Sequence, residues 1–133
     1  MPIKSSQTLV NEALKDIKTI NADEAYELSI NNKCNLIDIR DIRELEKEGR
    51  VENSHHIPRG MLEFWLDPES SYYKSNKIHN LKKMVLFCAL GLRSALATKS
   101  LVDMGFKNVA HVDGGFDALK KSGFQVVQKE KKK

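Results

Sequence analysis

The spacing of apolar residues along the chain predicts helices that alternate with short strands. Between residues 9 and 17 the apolar positions fall at i, i+1, i+4, i+5 and i+8, which is typical of one helix face. Residues 35–39 and 83–87 are short, mostly apolar runs that predict strands. The second run is apolar enough to be buried on both faces, as in a central parallel strand. Residues 108–112 alternate like a further strand.

The remaining elements are shorter or carry clear end signals. Asn21, with Glu24 three positions later, is typical of a helix cap with its reciprocal partner, and it opens a helix to about Ile30. A helix over residues 94–104 should bury Ala97, Leu101 and Met104 on one face and end at Gly105. The other expected elements are a short strand at 19–20, a charged loop with a short helix at 40–50, extended chain at 56–58, a short helix or packed loop at 61–66, an irregular segment at 67–80 and a last helix at 116–122. Strands alternating with helices predict an α/β fold of three layers, a central, mostly parallel sheet with helices on both faces.

The length and composition are those of one globular domain. The chain has 133 residues, of which 41% are hydrophobic and 30% charged. It contains no apolar run near the roughly 18 to 20 residues that span a bilayer, and its first residues lack the apolar stretch of a secretory signal. We therefore expect a soluble, cytoplasmic protein without a membrane partner. The pattern divides it into a helical extension (1–17), one domain (18–127) and a basic disordered tail (128–133).

The positive charge is concentrated at the end of the chain. The net charge is +4, and residues 129–133, four lysines and one glutamate, supply +3 of it. A solvated tail is the simplest interpretation. Because no aromatic residues are interleaved with the basic ones, the sequence does not favour a nucleic-acid partner.

The cysteines and histidines exclude several kinds of site. The two cysteines, Cys34 and Cys88, are too few for a disulfide scaffold and form no CxxC pair. The spacing of the histidines with these cysteines does not resemble a zinc site, so we expect no metal. Cys34 begins one predicted strand and Cys88 follows another, which in a parallel sheet puts them at opposite edges, so Cys34 is expected to be a buried structural thiol rather than a resolving one.

Residues 85–95 carry the strongest chemical signal, because they predict a strand, a tight loop and a helix with Cys88 at the first loop position. Ligands of open α/β sheets bind beyond the carboxyl ends of the strands. At the amino end of the following helix, free N–H groups and the helix dipole favour anions, which should lower the pKa of the thiol and make it nucleophilic. Gly91 suits a tight curl of N–H groups around one point. Arg93 adds a positive charge that either points at a bound anion or braces the loop.

Four segments in this order resemble the rhodanese family over roughly residues 18–127. Residues 88–94 are similar to the family's six-residue active loop, and residues 36–40 to its Asp-x-Arg strand end. Residues 56–58 are similar to its His-Ile-Pro turn, and residues 108–115 to the strand that leads to a Gly-Gly pair. The resemblance implies the fold of this family and a sulfurtransferase that moves sulfane sulfur from thiosulfate or a persulfide to a thiol acceptor. It implies no cofactor.

The resemblance also implies roles for individual residues. Cys88 would be the nucleophile and persulfide carrier, with Arg93 closing the loop. Asp38 and Arg40 would hold the loop region in place. His56 would be a hydrogen-bonding residue at a turn, and the three other histidines would be surface or structural residues: His55, His79 and His111. The outer sulfur would be held by the backbone N–H groups of the substrate-binding loop, namely Ala89, Leu90, Gly91, Leu92, Arg93 and Ser94.

The sequence departs from the family's pattern at two places. Leu119 stands where the family often has a tryptophan, which should change packing more than chemistry. The loop side chains Ala89, Leu90 and Leu92 are apolar, whereas relatives that prefer thiosulfate tend to have basic or polar groups there. An organic or protein persulfide therefore fits the loop at least as well as thiosulfate.

Two other functions are compatible with this loop. Cysteine-dependent phosphatases and arsenate reductases on the same fold have a Cys-x5-Arg loop, and the Cys88 to Arg93 spacing is one residue shorter, which favours a single sulfur over a tetrahedral oxyanion. A binding module without turnover is typically marked by loss of the cysteine, which is present here. The sequence indicates neither the oligomeric state nor the role of residues 61–80.

Overall fold

The computed structural model describes residues 3–74 and 82–128. The helices are Ser6–Asp16 (α1), Ala22–Ile30 (α2), Ile42–Glu48 (α3), Leu62–Leu66 (α4), Leu92–Met104 (α5) and Gly115–Lys121 (α6), with a 3-10 turn at Arg59–Met61. The strands are Lys18–Ile20 (β1), Cys34–Asp38 (β2), Arg50–Val51 (β3), His55–His56 (β4), Lys83–Phe87 (β5), Val109–Val112 (β6) and Val126–Val127 (β7). The expected α/β class is confirmed.

The main sheet has five parallel strands in the order β1-β6-β5-β2-β4. As the apolar run predicts, β5 lies at the centre, between β2 and β6. Asp38 at the end of β2 is in register with Phe87 at the end of β5. The carboxyl ends of the strands therefore meet at one edge of the sheet, where loops can converge.

A second, two-stranded sheet joins two distant parts of the chain, and the hydrophobic pattern did not predict it. Strands β3 and β7 pair antiparallel, with Val51 opposite Val126. Gly49 precedes β3 with a φ of 85°, and a Cβ there would lie 2.8 Å from Cγ1 of Val126. Two-residue strands have too few positions for a hydrophobic period to appear, and the close approach of Gly49 to Val126 joins residues far apart in the sequence, so no local pattern indicates it.

The alternation of side chains along β5 builds a core on each face of the sheet. Val85 and Phe87 belong to one buried cluster, which also contains Leu119 of α6. Leu86 belongs to the other cluster, together with Leu101 of α5. Since successive side chains of a strand point to opposite faces, Cys88 continues the Leu86 side and belongs to the second cluster.

Two helices bury narrower faces than their periodicity predicts. In α1, which packs against α5, Val10 and Ala13 are buried, but Leu9 and Leu14 are exposed. In α5 the expected Ala97 and Leu101 are buried, whereas Met104 in the last turn is exposed. Helical spacing gives the direction of a side chain, but the partner element decides how far along and around the helix the covered surface extends.

The predicted helix signals are confirmed in part. The side chain of Asn21 accepts a hydrogen bond of 2.8 Å from Glu24 N at the start of α2. A complete capping box, in which each side chain accepts from the backbone N–H of the other residue, forms at α3 between Asp41 and Glu44. Gly105 ends α5 in the left-handed conformation, with a φ of 107°. Residues 75–80 of the expected irregular segment, like residues 129–133 of the expected tail, lie outside the described residues. No helix of the described ranges has the length and apolar character needed to cross a membrane.

Candidate functional site

Cys88 lies at the carboxyl edge of the sheet, immediately after β5. Its position between β2 and β6 puts the thiol where loops from both neighbouring strands converge. Only 1% of the residue is exposed, so the sulfur sits at the base of its loop. The location predicted from the order of strand, loop and helix is confirmed.

The loop curls its backbone N–H groups toward the sulfur. Gly91 N and Ser94 N donate to Cys88 Sγ at 3.1 and 3.3 Å. Gly91 has a φ of 110°, a left-handed conformation that a side chain would strain, and α5 begins at the next residue. The Ser94 hydroxyl lies 3.5 Å from the same sulfur. The N–H groups and the positive end of α5 together favour a negative charge at this point.

The Gly114-Gly115 pair brings the start of α6 against the outer side of the loop. Phe116 N donates to the Cys88 carbonyl oxygen at 2.7 Å, and Asp117 N approaches the Ala89 carbonyl oxygen at 3.5 Å. A Cβ on Gly115 would lie 2.4 Å from the Cys88 oxygen, so only glycine allows this approach. The N–H groups of α6 bind the carbonyl oxygens of the loop from outside. The N–H groups of the loop can therefore face inward, toward the sulfur.

Asp38 and Arg40 form a buried ion pair behind the loop. The guanidinium donates to both carboxylate oxygens, with a shortest distance of 2.8 Å, and also to the Gly49 carbonyl oxygen at 2.9 Å. Both side chains are almost fully buried. The guanidinium also lies over the ring of Phe116, 3.9 Å from its centroid. The pair therefore connects β2 to the start of α6, which in turn holds the loop.

Arg93 pairs with Glu44 of α3. Its guanidinium donates to both carboxylate oxygens of Glu44 at 2.7 and 3.0 Å. Of the two roles that the sequence left open for Arg93, the structure has the bracing one. The hydrogen bond from Arg93 lowers the pKa of Glu44, and Glu44 raises that of Arg93. Glu44 also caps α3 by accepting from Asp41 N, so the loop is tied to a fixed helix end.

His111 contacts the loop from β6. Of the two interpretations from the sequence, a surface or a structural histidine, the first is wrong, and the contact with the loop was not predicted. His111 is only 2% exposed, and its Nδ1 lies 3.0 Å from the Ser94 hydroxyl. Its Nε2 lies 3.0 Å from the Thr19 hydroxyl of β1. Burial lowers its pKa, an effect that the charge of Asp113 partly opposes. The sequence did carry a signal for this contact, because His111 is a polar residue among the apolar residues of a strand in the central sheet.

The other singled-out residues lie away from the sulfur or only support it. His56 Nε2 hydrogen-bonds the Arg40 carbonyl oxygen at 2.8 Å, as expected of a turn residue. Cys34 is in register with Lys83, at the opposite end of the strands from Cys88, and burial raises the pKa of its thiol. His79 lies outside the described residues. Across the part of the chain that the structure describes, no three His, Cys, Asp or Glu side chains are grouped to hold a metal ion.

The entrance to the sulfur is an apolar cavity of about 160 Å³. Leu90 and Leu92 form its rim and are 67% and 53% exposed. Its remaining lining comes from Cys88, Ala89 and Arg93. Since Arg93 is engaged by Glu44, the rim presents mostly hydrocarbon to an incoming molecule.

Comparison with known proteins assigns the fold to a family. The model of the Rhodanese-like domain matches residues 21–122, which contain the loop, the buried ion pair and the glycine pair. The chain therefore belongs to the rhodanese-like domain family. The expected family is thus confirmed, and the chain has sulfurtransferase relatives at about 30% identity.

Three relatives of this rhodanese-like domain have different functional descriptions. A Rhodopseudomonas palustris protein of unknown function, described as a possible tyrosine phosphatase, is 41% identical with a TM-score of 0.86 over 96% of this chain and 99% of its own. The polysulfide-sulfur transferase homodimer of Wolinella succinogenes is 31% identical with a TM-score of 0.71, covering 92% of this chain and 87% of its own. A thiosulfate sulfurtransferase of Coxiella burnetii is 29% identical, covering 77% and 87%.

Some relatives are longer than this rhodanese-like domain. The chain spans 58% of the length of a chloroplastic rhodanese-like domain-containing protein of Arabidopsis thaliana, at 25% identity. It spans 33% of a tRNA uridine(34) hydroxylase of Hamiltonella defensa, at 31% identity. The shared part is therefore the domain, which occurs alone or with other segments.

Proposed function

We propose that this rhodanese-like domain is a sulfurtransferase that carries sulfane sulfur as a persulfide on Cys88. The observation that carries the proposal is the pair of N–H groups, from Gly91 and Ser94, that point at Sγ from 3.1 and 3.3 Å. Backbone donors fixed at the amino end of a helix stabilise a thiolate and, after loading, the negative charge on a persulfide. Sulfurtransferase relatives support the same chemistry.

In the first half-reaction the Cys88 thiolate attacks the sulfane sulfur of the donor. A new S–S bond forms between Sγ and that sulfur, while the bond from the sulfane sulfur to the rest of the donor breaks. The leaving group departs with the bonding electron pair, as sulfite from thiosulfate or as a thiolate from an organic persulfide. The loop N–H groups of residues 89–94 would hold the outer sulfur.

In the second half-reaction an acceptor thiolate attacks the outer sulfur of the persulfide. The S–S bond to Sγ breaks and its electron pair returns to Cys88, which regenerates the thiolate in the field of the Gly91 and Ser94 N–H groups. The two half-reactions are a ping-pong sequence in which sulfur changes partner without an external oxidant. Asp38 and Arg40 would act only as supports, because both are buried behind the loop.

The apolar rim favours an organic or protein persulfide over thiosulfate as the donor. Leu90 and Leu92 expose hydrocarbon at the entrance, and the cation of Arg93 is already paired with Glu44. A dianion such as thiosulfate gains little from such a rim, whereas a carbon-bound persulfide can bury apolar surface on it.

A phosphatase remains the second candidate, because the Rhodopseudomonas palustris relative is described as a possible tyrosine phosphatase. A phosphatase must bind an oxyanion with several donors. Here four residues separate Cys88 from Arg93, and the guanidinium is turned toward Glu44. Both features favour the small sulfur over a phosphoryl group.

Intact-protein mass spectrometry tests the proposal. The reduced protein is incubated with thiosulfate or with glutathione persulfide, then with cyanide. We expect the gain of one sulfur atom, faster with glutathione persulfide, and its removal by cyanide. Cys88→Ser should not load, while the matched variant Cys34→Ser should load like wild type because that thiol lies at the other end of the strands.

The outcome also separates the two candidate functions. Para-nitrophenyl phosphate is supplied to the same variants under the same conditions. Sulfur loading that persists in Cys88→Ser, or Cys88-dependent phosphate release without any sulfur loading, would overturn the sulfurtransferase proposal.

A further inference from the structure

A continuous series of side chains leads from the thiol into the sheet. Cys88 Sγ lies 3.5 Å from the Ser94 hydroxyl, which lies 3.0 Å from Nδ1 of His111. Nε2 of His111 lies 3.0 Å from the Thr19 hydroxyl. Three elements supply these residues, α5, β6 and β1, besides the loop itself. Ser94 and His111 are both buried, so water does not screen their contact.

The Ser94 hydroxyl has one proton for several neighbours, and this restricts the hydrogen-bond directions. It can donate once and accept twice. Gly91 O, which also accepts from Ala95 N, can take this proton with its second lone pair, but at 3.3 Å it lies farther from the hydroxyl than Nδ1 of His111 does at 3.0 Å. When Cys88 is a thiol, its S–H can donate to Ser94, whose proton then goes to His111. When Cys88 is a thiolate, the Ser94 proton must turn to the sulfur, and His111 must then donate from Nδ1.

We propose that His111 accepts the proton of the Cys88 thiol through the Ser94 hydroxyl and so sets the pH at which Cys88 becomes nucleophilic. The S–H proton passes to Ser94 Oγ, and the proton of that hydroxyl passes to His111 Nδ1. Cys88 becomes a thiolate, the serine is unchanged and the histidine becomes an imidazolium. This inference rests on the proposed function, because it gives the nucleophile of that reaction its proton acceptor.

The surroundings of His111 keep the resting ring neutral. Burial lowers its pKa, which leaves a lone pair free to accept from Ser94 but makes the ring a weaker base, so the imidazolium depends on the thiolate that is formed with it. In the tautomer with the proton on Nε2, that N–H donates to Thr19 on β1, which leaves Nδ1 as the acceptor toward Ser94 on α5. Among the charged groups of the described residues, Asp113 acts on the ring and favours the imidazolium once it forms.

The pH dependence of Cys88 alkylation tests the relay without requiring sulfur transfer. Iodoacetamide labelling is followed by peptide mass spectrometry from pH 5 to 10. We expect His111→Gln to move the midpoint upward by about one pH unit and to slow labelling below it about tenfold, with an equal rate at high pH. Ser94→Ala should also move the midpoint of labelling to higher pH. The matched control His55→Gln, in the edge strand β4, should leave the profile unchanged.

A second measurement uses the reciprocity of coupled ionisations. The ring nitrogens of His111 are titrated by 15N NMR in wild type and in Cys88→Ser, which cannot form a thiolate. If the two groups exchange a proton, His111 must titrate at lower pH in Cys88→Ser, by the same factor that His111→Gln imposes on labelling. This arm remains decisive if His111→Gln fails to fold.

The two proposals fail in different ways. An unchanged labelling midpoint in a folded His111→Gln or Ser94→Ala variant, or an unchanged His111 titration in Cys88→Ser, overturns the relay, even if the protein transfers sulfur. Shifted midpoints together with no sulfur loading from either donor support the relay and overturn the sulfurtransferase.

Discussion

Arg93 and Glu44 form a bidentate ion pair that joins the loop around Cys88 to the amino end of α3, with N–O distances of 2.7 and 3.0 Å. The pair spans 49 positions of the sequence. Because the Glu44 carboxylate also accepts from the backbone N–H of Asp41, the N-cap residue of α3, the loop is fixed to the start of the helix that follows β2. The Arg93 guanidinium at the entrance of the site therefore has a structural role.

This ion pair makes a part of the stability depend on pH. The pKa of Glu44 is lowered, first by the hydrogen bond from Arg93, so the pair stabilises the fold above the unfolded value of about 4.3 and is lost as the pH falls through the lower folded value. Since both side chains are partly exposed, we expect Glu44→Gln to cost about 0.5 kcal/mol at pH 7. Urea unfolding at pH 7 and at pH 3 measures this. The free-energy cost of Glu44→Gln should be smaller at pH 3, and an equal cost at pH 3 and pH 7 would contradict the prediction. Glu46→Gln on the same helix is the control.

The buried Asp38–Arg40 pair should be far more important for folding than exposed pairs. In Arg40→Met the Asp38 carboxylate stays buried without its partner, which typically costs about 3–5 kcal/mol. Urea unfolding at neutral pH measures the loss. Arg43→Met removes an exposed pair with Asp41 and should cost less than about 1 kcal/mol. Similar losses in both variants would show that the buried pair does not hold β2 to the start of α6.

Gly115→Ala should damage the loop without touching its side chains. The added Cβ would lie 2.4 Å from the Cys88 carbonyl oxygen, and the residue has a φ of 56°, so α6 must move away from the loop. We expect a loss of about 1–3 kcal/mol in stability and slower labelling of Cys88. Gly60→Ala, where a Cβ meets nothing within 4 Å, is the control. Wild-type labelling in Gly115→Ala would mean that the contact with α6 does not shape the loop.

Much of the fold follows from the sequence because the central elements are specified locally. The apolar run of β5 fixed it as the buried middle strand, and Gly91 indicated the curl after Cys88. The pairing of β3 with β7 was missed, because the partners of Arg50 and Val51 lie far away in the sequence, near the other end of the domain. The exposure of Met104 was missed for a related reason, since the reach of the covering elements is a tertiary property.

The candidate site could be predicted where neighbours in sequence are also neighbours in space. The loop N–H groups around Cys88 follow from residues 88–94 alone. The contacts of Arg93 with Glu44 and of His111 with Ser94 and Thr19 join separate elements, so no local pattern carries them. The division into residues 1–17, 18–127 and 128–133 stays a prediction.

A charge at the rim should change the choice of donor. Leu90 is 67% exposed beside the cavity, so Leu90→Lys can be accommodated and attracts a dianion. We expect kcat/KM for thiosulfate to rise about threefold to tenfold at low ionic strength, with the gain falling as salt is added. Steady-state kinetics with thiosulfate and with glutathione persulfide measure the shift. Leu14→Lys adds the same charge on α1 and should change neither, and a Leu90→Lys enzyme with unaltered preference would contradict the role of the rim.

The hydrogen bonds from Phe116 and Asp117 to the carbonyls of Cys88 and Ala89 have a consequence for the order of synthesis. A ribosome makes Cys88 before it makes the segment that shapes the loop, and β6 with His111 also comes later. A nascent chain that ends before Phe116 therefore lacks both of these hydrogen bonds. The loop around Cys88 reaches the arrangement described above only when α6 has been synthesised.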